Sequence, residues 1–313
     1  MIFSMNIGFF GNFSSVLQVT LALVFAPLLF GVINKTKAFF GGRKGFPLLQ
    51  TYFDLAKLVR KGAVYSKTTS WVFRAGPVVS LAVVLMALFF VPMGGSRSVV
   101  AFEGDFLFLA YCLGVMRFFI VIAALDTGSS FEGMGASREV QFSALAEPAL
   151  LIALAALAKN AGSLSLAVTY SGINFSSWLG SGIVLGLISA AIFIVLLTEN
   201  ARIPVDDPNT HLELTMIHEV MVLDHSGPDF AAILYGSVLK LWVFGSLFVG
   251  ILLPVKSASP VLNTLVFMTG MFGLAVLIGV IESVMARMRL TYVPRFLLGA
   301  TAFAVIALIL VLR

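Results

Sequence analysis

Acidic and imidazole side chains are concentrated in one short stretch of this 313-residue chain. The stretch from Glu199 to Asp229, called the acidic segment below, holds seven of the fifteen acidic residues and all three histidines. Clustered carboxylates raise one another's pKa, which suits groups that exchange protons near neutral pH. The alternative is a solvated acidic face, which applies most directly to Glu219 and Asp229. The ionisable candidates of the acidic segment are Glu199, Arg202, Asp206, Asp207, His211, Glu213, His218, Asp224 and His225.

The three histidines recur every seven residues, at His211, His218 and His225. Seven residues of helix rise about 10 Å, which is too far for successive histidines to share one metal ion. The run HLELTMIHE also differs from the HExxH zinc motif. The spacing therefore favours helix capping and partner contacts, and we predict no metal site.

The composition indicates a membrane protein. The chain is 59% hydrophobic and 11% charged, whereas a soluble domain carries roughly 25% charged residues. Eight apolar runs approach the length of about 20 residues that a membrane-spanning helix needs. We predict an all-α, polytopic fold in a single integral membrane domain over residues 1–313. The eight runs lie near 16–34, 72–93, 105–125, 140–160, 178–198, 231–254, 262–284 and 293–312.

The distribution of basic residues predicts the orientation in the plasma membrane. Fourteen Lys and Arg residues follow odd-numbered spans and four lie on the other side, so the positive-inside rule places the odd loops in the cytoplasm. The predicted cytoplasmic loops are about 35–71, 126–139, 199–230 and 285–293, with both termini extracytoplasmic. Residues 48–59 of the first loop carry apolar side chains at helical spacing, which predicts an amphipathic helix at the membrane interface. The positive charge therefore indicates topology and not nucleic-acid binding.

We assign four ionisable residues to the membrane interior: Arg117, Glu147, Lys240 and Glu282. Each costs about 2.5–3.5 kcal/mol at the centre of a membrane helix, so each is a functional candidate. The alternative for Arg117 and Lys240 is that the long side chain reaches the interface. Glu147 is too short for this, and Pro148 frees a backbone carbonyl one turn earlier. We predict that Glu147 belongs to a proton path.

The chain has one cysteine, Cys112. An iron–sulfur cluster is typically held by four thiolates, so this chain cannot hold one alone. We expect a non-catalytic subunit without a redox centre of its own, in which partner proteins carry any electrons.

Four patches resemble the subunit-1-type membrane protein of respiratory complex I and of energy-converting hydrogenases of the formate hydrogenlyase and hydrogenase-4 type. The first is GGRKGFPLLQTYFDLAKL, with Arg43, Asp54 and Lys57. The other three are LDTGSSFEGMGASRE with Glu147–Pro148 downstream, ENARIPVDDP followed by HLEL and DHSG, and ESVMARMRLTYVPR. The second and fourth, which contain Asp126, Arg138, Glu139, Glu282 and Arg287, look like the hydrogenase branch.

The resemblance implies a subunit between a cytoplasmic redox arm and antiporter-like membrane subunits. It implies hydrogenase-like large and small subunits, an iron–sulfur subunit and Mrp-type subunits as partners, with the nickel–iron centre and the iron–sulfur clusters in those partners. Protonation would pass from the carboxylates of the acidic segment through Glu147, with Arg138 and Arg202 holding their geometry. The implied proton path comprises Glu147, Glu199, Asp206, Asp207, Glu213, Lys240 and Glu282. The implied supporting charges and partner contacts are Arg43, Asp54, Lys57, Asp126, Arg138, Glu139, Arg202, His218, Asp224 and Arg287.

The third patch departs from the family pattern. Val205 and Asp207–Pro208 interrupt it, and Asn209 and His211 stand where the family often has glutamate. This departure argues against a quinone site in this segment. Two other functions nonetheless stay open. One is a quinone-chamber subunit of a complex I-type dehydrogenase, and the other is a free-standing secondary transporter, which inverted repeats and broken helices would favour.

Overall fold

The computed structural model describes residues 13–206, 216–254, 256–257 and 259–313, and all regular structure within these ranges is helical. Eight of the helices are long and apolar enough to cross a membrane. The predicted all-α, polytopic fold is therefore confirmed. The helices are α1 Phe13–Phe40, α2 Gln50–Val59, α3 Trp71–Leu88, α4 Asp105–Asp126, α5 Ser130–Ala161, α6 Leu166–Gly172, α7 Phe175–Glu199, α8 Gly227–Leu252, α9 Pro260–Val284 and α10 Val293–Leu312.

Helix α8 is the centre of the bundle. Every residue from 238 to 249 is buried, as expected for a helix that is apolar on all sides. It contacts α1, α3, α7 and α9 along the membrane spans and α2 at one end. Helix α5 packs against both α4 and α7, and α7 packs against α8, so charged side chains on these four helices can meet inside the bundle.

Helix α5 begins about ten residues before the predicted span. Residues 130–139, which we assigned to a polar loop, form its first three turns. Gly133 and Gly135 suggested a loop, yet Gly135 is buried in the helix because another segment packs closely against it. The short helix α6 was not predicted either.

The amphipathic helix predicted at 48–59 is present as α2. The Tyr52 hydroxyl donates a hydrogen bond to the Val24 carbonyl of α1, while Phe53 is exposed. The helix therefore packs one face on the bundle and leaves apolar side chains on the other, as a helix at an interface does. Its place at the membrane surface stays a prediction.

Candidate functional site

Arg117 of α4 lies at the centre of a buried ionic network. Its Nη1 contacts Oε1 of Glu147 on α5, and its Nη2 lies 2.5 Å from Oε1 of Glu199 at the end of α7. The third guanidinium nitrogen, Nε, is 3.5 Å from Oε1 of Glu139, also on α5. An arginine fork can bind two carboxylates at once and stays charged in proteins. Arg117 therefore ties three helices together through their carboxylates.

Lys240 of α8 completes this network. Its Nζ lies 2.9 Å from Oε2 of Glu199, so Glu199 is held between two cations. Both Arg117 and Lys240 are buried among the helices, where each pairs its charge with Glu199. The Arg117 network joins Arg117, Glu139, Glu147, Glu199 and Lys240, with two cations and three carboxylates. One added proton would neutralise it.

Glu147 is the most exposed acid of the Arg117 network. It lies near the middle of α5, and 46% of its side chain is accessible. It lines a cavity of about 50 Å³ between α4 and α5 that also reaches Arg117 and Glu199. At the rim of this cavity Tyr111 is 72% exposed. The half-exposed Glu147 carboxylate therefore faces outward from the helix bundle, whereas the buried Glu199 carboxylate faces inward.

A second ionic cluster joins α1, α9 and the acidic segment. The Glu282 carboxylate of α9 lies 2.9 Å from Lys37 Nζ and 3.3 Å from Arg202 Nη1. The Arg202 guanidinium also stacks 4.2 Å from the ring centroid of Phe30 on α1. Breaking a buried ion pair by removing one partner costs about 3–5 kcal/mol. Glu282 therefore fixes α1, α9 and the start of the acidic segment together.

Asp206 extends the second cluster beyond the end of α7. Its Oδ1 lies 2.7 Å from Nη2 of Arg287, and its Oδ2 accepts a hydrogen bond of 2.9 Å from the Ile217 amide. Arg138 of α5 donates a hydrogen bond of 2.8 Å to the Met216 carbonyl. Asp206 and Arg138 thus hold the chain at residues 216 and 217.

One cavity of about 190 Å³ lies between the two clusters. Residues of both line it, among them Glu199, Lys240, Arg202 and Asp206, and its other walls include apolar side chains of α1, α4 and α8. At about 30 Å³ per molecule, a polar cavity of this size holds roughly six waters. It can therefore hydrate a route from Asp206 to Glu199.

The two described histidines lie at different places. His218 lines this cavity, and desolvation lowers its pKa to about 4, with a further lowering by the Lys240 charge. His225 is stacked on Phe73 at 3.9 Å between ring centroids, and desolvation lowers its pKa to about 4 as well. Within the described ranges, no group of three or more His, Cys, Asp or Glu side chains has the spacing to hold a metal ion.

Several predicted contacts lie outside this site. Arg43 and Lys57 are exposed, and Asp54 accepts a hydrogen bond of 2.8 Å from Gln50 within α2. Asp126 bonds the Ser70 amide at 2.6 Å and thereby supports the start of α3. These residues remain available for partner contacts. Asp207, His211 and Glu213 lie outside the described residues.

Two residues have larger roles than the sequence suggested. We identified Arg117 as an intramembrane charge but gave it no role, although an arginine inside an apolar run is itself the signal. Glu132 of α5 is fully buried and accepts a hydrogen bond of 3.1 Å from the Asp224 amide. We gave it no role, because we placed residues 126–139 in a loop.

Comparison with known proteins identifies the family. A model described as NADH dehydrogenase matches residues 14–312. The chain is 32% identical to formate hydrogenlyase subunit 4 of Escherichia coli (strain K12) over 300 residues, which cover 94% of this chain and 96% of that protein. It is 33% identical to hydrogenase-4 component C of the same strain over 239 residues, 76% of this chain and 74% of that protein.

The fold is also found in a solved complex. A chain in the structure of the membrane-bound sulfane sulfur reductase, an archaeal respiratory membrane complex, matches with a TM-score of 0.79 at 20% identity. The match covers 95% of this chain and 98% of that chain. The resemblance drawn from the four sequence patches is confirmed by the family match and the two relatives. This chain belongs to the NADH dehydrogenase family, as a membrane subunit of the complex I subunit 1 type.

Proposed function

We propose that this chain is the proton-coupling membrane subunit of a multisubunit, nickel–iron hydrogenase-like complex. It would anchor a cytoplasmic redox arm and link it to antiporter-like subunits that pump ions across the plasma membrane, with both termini extracytoplasmic. The observation that carries the proposal is the Arg117 network, which joins inward-facing Glu199 to outward-facing Glu147 inside the bundle. The names of the two relatives, a formate hydrogenlyase subunit and a hydrogenase component, support the hydrogenase branch.

The proposed path begins at the cytoplasmic cavity. Protons enter beside Asp206 and cross the cavity water to Glu199. They leave through Glu147, between α4 and α5, toward a neighbouring membrane subunit. Arg117 stays charged, and together with Lys240 it sets the energy of the carboxylates between them. Asp207 and Glu213 belong to the entry in this proposal, and Glu282 supports it from α9.

A charge change in the redox arm can drive this path electrostatically. At an effective dielectric constant of about 20, a unit charge about 10 Å from a carboxylate changes its energy by roughly 1.7 kcal/mol. This is more than a tenfold change in the protonation equilibrium. Reduction of a partner's cluster near the acidic segment therefore has the magnitude needed to move one proton into or out of a network that carries one excess carboxylate.

The cavity favours water over a bound quinone. Ligand pockets usually measure about 300–1,000 Å³, whereas this cavity measures about 190 Å³. The nickel–iron centre and the iron–sulfur clusters of the proposal belong to partner chains, because the one cysteine here, Cys112, is buried in α4.

The test is to purify the chain from its native membrane in mild detergent, identify the proteins that accompany it and assay nickel and iron. We expect hydrogenase-like and antiporter-like subunits with both metals. Iron and quinone without nickel would favour the complex I-type alternative. A chain isolated alone, with no metal, would contradict both and leave a free-standing transporter.

A further inference from the structure

The segment from Met216 to Asp224, called the cavity-lining segment, has two sides. On one side His218, Glu219 and Val222 form part of the wall of the 190 Å³ cavity. Its other side lies against the first turns of α5 and includes Ile217, Val220 and Met221, all buried. Residues 219–222 form one turn of 3-10 helix, the only regular structure in this segment. A short segment of this kind takes its position from what it packs against.

Three residues of α5, spaced three apart, contact this segment. At one end, Arg138 donates its 2.8 Å hydrogen bond to the Met216 carbonyl. At the other end, Oε1 of Glu132 accepts a hydrogen bond of 3.1 Å from the Asp224 amide. Residues three apart are neighbours on a helix surface, so Glu132, Gly135 and Arg138 form one continuous track along α5.

Gly135 sets how closely the segment approaches the helix. A Cβ atom at this position would lie 2.9 Å from the Ile217 carbonyl oxygen and 2.9 Å from Met221 Cγ, and would also collide with Val220. A Cβ atom at Gly133, two residues earlier on the same helix, would meet nothing within 4 Å. The two glycines therefore form a matched pair, in which only Gly135 is required by the contact.

We propose that Glu132, Gly135 and Arg138 form a seat that positions the cavity-lining segment and thereby controls proton entry to the Arg117 network. The three are positioning residues, since they act through the cavity wall. With the segment seated, His218 and Glu219 bound the water between Asp206 and Glu199. Unseating it opens the cavity to bulk water, so protons entering there are no longer confined to the route toward Glu199. This inference rests on the proposed function and specifies its regulation.

Glu132 fits this role by its chemistry. Its carboxylate is fully buried, and one oxygen, Oε1, accepts the Asp224 amide. A neutral amide oxygen can accept the same hydrogen bond. The seat therefore predicts that Glu132→Gln retains the position of the segment and that Glu132→Ala loses it.

The test compares Gly135→Ala with Gly133→Ala in the purified complex by hydrogen–deuterium exchange of the amides of residues 217–224. We expect at least tenfold faster exchange in Gly135→Ala and Glu132→Ala, and wild-type exchange in Gly133→Ala and Glu132→Gln. Equal exchange in Gly135→Ala and Gly133→Ala would overturn the seat. This measurement requires no turnover, so it tests the seat even if the complex translocates no protons.

A second measurement tests control of proton entry. In proteoliposomes, we expect Gly135→Ala to lower the number of protons translocated per turnover several-fold and Gly133→Ala to leave it unchanged. In Gly135→Ala, water reaches His218 and brings its pKa from about 4 back toward 6.5. The number of protons that this variant complex translocates per turnover therefore depends on pH between these values. Adding His218→Gln should remove this pH dependence. Faster exchange with unchanged coupling and pH profile would overturn the positioning role while leaving the proposed function intact. Absence of proton translocation in the wild type would instead contradict the proposed function.

Discussion

Removing the Lys240 charge tests whether the Arg117 network is a true buried ion-pair cluster. Lys240 Nζ lies 2.9 Å from Glu199 Oε2, and both side chains are almost fully buried. At an effective dielectric constant of about 20, this distance gives an attraction of roughly 6 kcal/mol before the cost of dehydration. Measured losses on removing one partner of a buried pair are about 3–5 kcal/mol. Lys240→Met leaves Glu199 with Arg117 alone, and we expect a destabilisation in that range.

The assay is the thermal denaturation midpoint of the purified complex in detergent, with Lys159→Met as the matched control. Lys159 is exposed in the last turn of α5, so its replacement should cost less than about 0.5 kcal/mol. The double variant Lys240→Met/Glu199→Gln removes both charges and should be less destabilised than the sum of the single variants by about 1–3 kcal/mol. Equal stability of Lys240→Met and Lys159→Met would refute the reasoning.

Three further results are expected from the same denaturation assay. Glu282→Gln should destabilise the protein by about 3 kcal/mol because it leaves the Lys37 and Arg202 charges beside a neutral amide; a loss below 1 kcal/mol would show that the cluster is solvated. Gly279→Ala should cost about 1–3 kcal/mol, since its Cβ would lie 3.0 Å from the Ile33 carbonyl, whereas Gly273→Ala on the same helix meets nothing. The pKa of His225, lowered to about 4, means that the unfolded state binds the additional proton. Stability should therefore fall by up to about 1.4 kcal/mol per unit as pH drops from 6.5 to 4, and His225→Phe should reduce this slope; an identical slope would contradict the assignment.

The membrane spans were predictable because each is a continuous apolar run, a local property of the sequence. The amphipathic helix α2 was predictable for the same reason, from apolar residues at helical spacing. The first three turns of α5 were not. Gly133 and Gly135 argued for a loop. Gly135 is instead needed because the carbonyl of Ile217, 82 residues away in the sequence, packs too closely for a Cβ atom.

The candidate site was predictable as a set of residues but not as an arrangement. Glu147 and Lys240 can be recognised as candidates from the sequence, because a charged side chain inside an apolar run is energetically unfavourable. The pairing of Arg117 with the carboxylates cannot be recognised in this way, because Arg117 is 30 residues from Glu147 and 82 from Glu199. These ion pairs depend on which helices are neighbours in the fold. The spacing of charges along the sequence does not show which helices are neighbours.

The family could be identified from the sequence patches because they contain unusual residue types at fixed spacing, such as Arg138–Glu139 followed by Glu147–Pro148. The structure adds which residues of these patches contact one another. Glu139 and Glu147, both on α5, contact the same arginine. The acidic segment, which first indicated proton chemistry, contributes its first residue, Glu199, to the same network.

The most direct test of the account is the number of protons translocated per redox turnover in the assembled complex carrying Glu147→Gln. The glutamine amide can still accept a hydrogen bond from Arg117 but cannot carry a proton. The control is Glu103→Gln, at an exposed position outside the network. We expect the control to behave as wild type and Glu147→Gln to turn over with at least tenfold fewer protons translocated. Unchanged proton translocation in a fully assembled Glu147→Gln complex would contradict the proposed path.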